Sequence, residues 1–75
     1  MPSLPVLSGQ EAVRVFEKFG WQFVRRRGSH LILVKTGSPA TLSVPDHREV
    51  AKGTLRSLMR AAGIPHDAFC DAARQ

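Results

Sequence analysis

The order of apolar patterns predicts an α+β fold, α-β-β-β-α, with a three-stranded antiparallel sheet and its helices on one face. Three observations predict it. Residues 12–19 carry an apolar stripe at helical spacing. Residues 21–44 hold three short strand-like runs separated by turn residues. Residues 55–62 return to helical spacing. Seventy-five residues suffice for one such domain, spanning 1–75, with a core of a few large side chains.

Ser8-Gly9-Gln10-Glu11 reads as a capping box. The serine hydroxyl can accept from the amide three residues on, and Glu11 can reach back to the Ser8 amide. The helix it opens sets Ala12, Phe16 and Phe19 on one face, with Val13 and Val15 beside them. That stripe belongs to a core rather than to a ligand. Gly20 is expected to end the helix as its C′ residue. Trp21–Arg26 then alternates as a strand, and Arg27-Gly28-Ser29 supplies a turn. His30–Lys35 is rich in branched apolar residues and makes the second arm of a hairpin. Trp21 and Phe23 read as packing residues before base-stacking platforms, with room for one to be exposed.

Thr36-Gly37-Ser38-Pro39 is a turn cluster, and 40–44 is a short third strand. Pro39 and Pro45 stand at its ends, where no ladder amide is needed. Asp46 to Lys52 is polar and reads as a loop. From about Gly53 a second helix carries Leu55, Leu58, Met59 and Ala62 on one stripe. Gly63 ends it and Pro65 prevents continuation. The tail has room for a short C-terminal helix, with Ile64 and Phe69 against the core. With its other sheet face open, this architecture is shared with double-stranded-RNA-binding domains.

Eleven Lys and Arg against six Asp and Glu give a net charge of +5. On so short a chain this field suits nucleic acid or an anionic surface, and ordinary basic solubility is the competing explanation. No segment is long or apolar enough to span a bilayer. The start, Met1 to Leu7, lacks the charged region and apolar run of a signal peptide. One cysteine, Cys70, excludes an internal disulfide framework and fits the reducing cytoplasm. Cys70 is expected to pack rather than attack, without a basic partner beside it. Three scattered histidines and that cysteine show no ligand spacing, so neither metal nor cofactor is expected.

The chemistry concentrates in Arg25-Arg26-Arg27-Gly28-Ser29-His30. Guanidinium groups are planar, permanently charged and matched to phosphate. An imidazole can take or give a proton near neutrality. Such a segment can hold a phosphodiester and assist its cleavage; a polar hairpin turn with a surface histidine is the plainer alternative. Leu31 and Leu33 suit the core side of their strand, which leaves His30, Ile32 and Val34 on the other face. On the second helix Lys52, Arg56 and Arg60 recur every four residues and can track a phosphate backbone, or form a solvated helix face. Amides near Gly53 and Thr54 at the helix start add an anion preference. His47 either braces its loop or supplies a second proton-transfer or phosphate-binding group. His66 is read as incidental. In RNA the 2′-OH is a built-in nucleophile, so a small, metal-free protein needs only to orient it, move a proton and stabilise charge. DNA lacks that group and would be refused.

Gly28-Ser29-His30, then Val44-Pro45-Asp46-His47, then Gly53-Thr54-Leu55-Arg56-Ser57-Leu58 and Ala62-Gly63-Ile64 together resemble the HicA toxin family. The resemblance covers about residues 8–70. It implies a type II toxin–antitoxin toxin with a double-stranded-RNA-binding-like fold. It further implies a translation-independent mRNA interferase, with His30 catalytic, and inhibition by a HicB antitoxin that masks the active face. Arg25, Arg26, Arg27, Gly28, Ser29, His47, Lys52 and Arg56 are the expected RNA contacts. Two departures stand out. Three arginines run to Gly28 where the family often has glutamine or lysine. The loop after His47 reads Arg48-Glu49-Val50-Ala51, less polar than is common there.

The leading expectation is therefore a cytoplasmic endoribonuclease toxin, monomeric when free, with mRNA and a HicB-like antitoxin as partners. A non-catalytic RNA-binding module of the same fold is the alternative, and a domain that docks an acidic partner is a third.

Overall fold

The computed structural model describes residues 3–74; Met1, Pro2 and Gln75, the ends of the expected 1–75 domain, lie outside the described residues. The elements run α1 (Gly9–Glu17), β1 (Gln22–Arg27), β2 (His30–Val34), β3 (Thr41–Pro45), α2 (Lys52–Ala62) and α3 (His66–Ala73). The strands form one antiparallel sheet in the order β1-β2-β3. The expected α+β, α-β-β-β-α order is present, and the tail forms a full third helix.

The capping box forms as the sequence predicts. Glu11 N–H donates to the Ser8 hydroxyl and Ser8 N–H donates to the Glu11 carboxylate. Helix α1 closes earlier than expected, with Lys18 as its C-cap, and Gly20 takes its left-handed φ of 94° in the turn that follows. This turn delivers Trp21 into the core, 2 % exposed, rather than into a strand. The Trp21 indole N–H has no hydrogen-bond partner among the described residues.

Strand parity settles the layers. Leu31, Leu33, Leu42 and Val44 are buried against the helices. They join Ala12, Val13, Val15 and Phe16 of α1, Leu55, Leu58 and Met59 of α2, and Phe69 and Cys70 of α3. Helix α3 is held by ring contact: Phe16 and Phe69 centroids lie 5.2 Å apart. Leu4 and Leu7, upstream of the capping box, also belong to this core. Among the described residues, no helix lies on the opposite sheet face.

The loop from Asp46 to Ala51 is tied down from three sides. Gly9 N–H donates to the His47 carbonyl (2.8 Å), Val50 N–H to the Leu7 carbonyl (2.8 Å), and Asp46 N–H to the Ser29 carbonyl (2.8 Å). Glycine at position 9 permits the first of these approaches, because a Cβ there would meet the Pro45 carbonyl oxygen at 2.2 Å. Val50, which makes this loop less polar, is its anchor in the core, 2 % exposed.

Candidate nucleic-acid interface

The hairpin that carries the candidate residues is tighter than the sequence suggests. Arg27 pairs with His30, so only Gly28 and Ser29 form the turn. Gly28 has φ of 60° and no residue other than glycine has positive φ among the described residues. Glycine at the first position followed by a residue of negative φ is the sign pattern of a type II′ turn, which matches the twist of the strands it joins.

A register shift between Phe23 and Arg25 leaves Val24 as an extra residue, a β-bulge. Beyond it Arg25 pairs with Ile32, Arg26 with Leu31 and Arg27 with His30. Directly opposed residues of an antiparallel pair share a face. Leu31 faces the helices, so Arg26 stands on the helix side of the sheet. Arg25, Arg27, His30 and Ile32 stand on the open side. Ile32 is 6 % exposed yet outside the helix-side core, between its cross-strand partners Arg25 and Ser43.

The three arginines therefore do not stand on one face. Arg26 Nη2 lies 2.6 Å from Asp46 Oδ2. The Arg25 and Arg27 side chains are exposed and carry no hydrogen bond or ion pair among the described residues. The same holds for the His30 imidazole, which sits across from Arg27 at the hairpin end. His30 also pairs with Pro45 on the β3 side, so the histidine occupies the centre of the sheet edge.

His47 braces its loop, but through its main chain. Its carbonyl accepts from Gly9, and its exposed imidazole has no partner among the described residues. Lys52 and Arg56 are exposed on α2, which begins just beyond this loop. One turn separates them, about 6 Å along the axis. No side-chain cap closes the α2 N-terminus and no acidic residue lies in its first turn. Gly28 and Ser29 contribute geometry: the turn conformation and the Ser29 carbonyl that accepts from Asp46.

Asp46 is the residue that sequence reasoning missed. It read as one of several loop charges. The signal was its place immediately after Pro45, but it becomes legible only once the turn is set at two residues and the register follows. Phe23 is exposed beside the edge of β1, where Val13, Arg14, Glu17, Arg26 and Leu31 line a shallow groove of about 320 Å³. Cys70 does have a neighbour: one turn of α3 brings His66 Nδ1 to 3.9 Å from its Sγ. The thiol is 1 % exposed and donates toward the Ser3 carbonyl, so it is a packing group. Among the described residues no group of three or more His, Cys, Asp or Glu side chains could hold a metal ion. Nor is any helix of the described residues long and apolar enough to cross a membrane.

The sequence model described as "HicA toxin of bacterial toxin-antitoxin" matches residues 9–64. Among solved structures, a chain of a toxin–antitoxin complex from Streptococcus pneumoniae is similar, with a TM-score of 0.69 and 29 % identity. The similarity covers 77 % of this chain and 98 % of that one. No curated protein matches the chain.

Proposed function

Because this chain belongs to the HicA toxin family, we propose that it is a metal-independent endoribonuclease, an mRNA interferase restrained by a HicB-like antitoxin. The observation that carries this reading is the exposed cross-strand pair of Arg27 and His30 on the uncovered sheet face, with Arg25 and Ile32 as the next pair. A phosphate lying over that pair meets two guanidiniums and one imidazole.

The chemistry needs little more. The 2′-oxygen attacks the adjacent phosphorus and the 5′-oxygen leaves, so a 2′,3′-cyclic phosphate and a 5′-hydroxyl result. His30 assists by accepting the 2′-OH proton or by protonating the departing oxygen. Arg25 and Arg27 stabilise the extra negative charge on the pentacoordinate phosphorus, where fixed donors contribute most. His47, carried on a loop bonded to the same hairpin turn, is the second proton-transfer or phosphate-binding group. Lys52 and Arg56 extend the phosphate track along α2. The substrate is mRNA in the cytoplasm, and the free toxin is a monomer.

The antitoxin partner is supported by the toxin–antitoxin complex in which the similar chain occurs. A protein that covers the Arg25–Arg27–His30 face should be acidic where it touches. Induced expression tests the reading in cells. Wild type should arrest growth, and His30→Ala should not. Co-expression of an acidic protein encoded beside the toxin should release the arrest. Undiminished arrest by a soluble, folded His30→Ala protein would remove His30 from the chemistry.

A further inference from the structure

Arg26 belongs to a different device from its two neighbours. We propose that Arg26 and Asp46 form a clasp that positions the His30 turn, so that Arg26 is a positioning residue and not a phosphate contact. The effect on rate rests on the ribonuclease reading above; the clasp itself does not.

Four observations converge on it. The register sets Arg26 opposite Leu31, on the helix side, whereas Arg25 and Arg27 share the open side with His30. The Arg26 guanidinium is engaged by the Asp46 carboxylate at 2.6 Å, and the Asp46 side chain is only 21 % exposed. The Asp46 amide donates to the carbonyl of Ser29, the residue immediately before His30. One residue thus holds β1 through its side chain and the turn through its main chain. Finally, the Asp46 backbone is fixed from behind: a Cβ on Gly9 would lie 2.9 Å from its Cα, and Gly9 N–H holds the next carbonyl. The carboxylate therefore has a set origin, and Arg26 is the side chain drawn to it.

The clasp has two consequences for a site that binds phosphate. It limits the motion of Ser29 and so of the His30 backbone, and proton transfer depends steeply on placement. It also neutralises a carboxylate that would otherwise stand beside the phosphate track and repel it. Arg26 serves RNA binding indirectly, by cancelling Asp46.

The two roles for Arg26 predict different rates in Asp46→Asn. Loss of the carboxylate favours RNA binding under either role, but an Arg26 that gripped phosphate would leave kcat unchanged, whereas the clasp predicts a kcat lower by on the order of tenfold. It also predicts that Arg26→Asp alone is impaired and that the charge-exchanged pair, Arg26→Asp with Asp46→Arg, recovers most of kcat. Failure of the folded exchanged pair to recover kcat above Arg26→Asp alone would overturn the clasp.

An activity-free readout separates this inference from the ribonuclease reading. The Asp46 amide, bonded to Ser29, should exchange with solvent several-fold faster in Arg26→Gln, with the core amides of β2 unchanged. Unchanged Asp46 exchange overturns the clasp even if RNA is cleaved. Faster exchange upholds it even if wild type cleaves no RNA, in which case only the ribonuclease reading fails. Both positions are outside the apolar core, and the unchanged β2 amides report that the variants have folded.

Discussion

At the scale of single residues, the chain separates groups that pack from groups that stay free. Leu33 is fully buried at the centre of the helix-side face. Leu33→Ala should cost about 3 kcal/mol, read as a lower urea midpoint with an unchanged slope. Glu11 offers a pH-dependent case. Its carboxyl is held below the ordinary glutamate range, first by the hydrogen bond from the Ser8 amide and then by the Ser8 hydroxyl. A depressed pKa means that the unfolded chain binds the proton more readily. The contribution is therefore complete above the ordinary glutamate range and is lost as pH falls below it. The stability gap between wild type and Glu11→Ala, measured in urea, should shrink between about pH 7 and about pH 3. Ser8→Ala, which removes the reciprocal partner, should cost about 1 kcal/mol. These local devices were legible because a capping box is written in four consecutive residues. The Arg26–Asp46 pair was not, because its partners are twenty positions apart. Only the register brings them together.

At the scale of elements, every expected helix and strand forms, and the differences lie at their ends. The turn after β1 uses two residues rather than three, since Gly28 in a type II′ turn lets Arg27 remain in the ladder. The bulge at Val24 had no sequence signal of its own, as Phe23 and Val24 are both apolar and either could have faced the helices. It turns Phe23 to the Leu33 side and so fixes which arginines share a face with His30. The tail forms a full helix because Phe69 reaches Phe16, a contact that outweighs its short length. The contact of α1 with the 45–47 segment depends on Gly9. Gly9→Ala should cost roughly 2 kcal/mol, since the new methyl group meets backbone that cannot yield cheaply. Thermal melting would register this, and Gly53→Ala is a suitable control, where a Cβ meets nothing within 4 Å.

At the scale of the whole molecule, charge and layering support the proposed function. Helices α1 and α2 lie on one sheet face and α3 packs on them, which leaves the His30 face open to the large, flat, anionic partner of the proposed function. With a net charge of +5, the proposed association with RNA should be salt-dependent. Affinity measured on a cleavage-deficient variant should fall steeply with added salt, and Arg25→Ala or Arg27→Ala should each flatten that slope by about one unit. The family was legible as an ordered series of short motifs spread over the chain, each weak alone. The separation of the arginines between two faces was not, because it depends on a bulge and a turn length. The central claim is that His30 performs proton transfer in a metal-independent cleavage of RNA. Purified wild type and His30→Ala, incubated with single-stranded RNA in excess chelator, test it most directly. Wild type should yield fragments ending in 2′,3′-cyclic phosphate, and RNA should stay intact with His30→Ala. Equal cleavage by a folded His30→Ala protein, or wild-type cleavage abolished by the chelator, would contradict it.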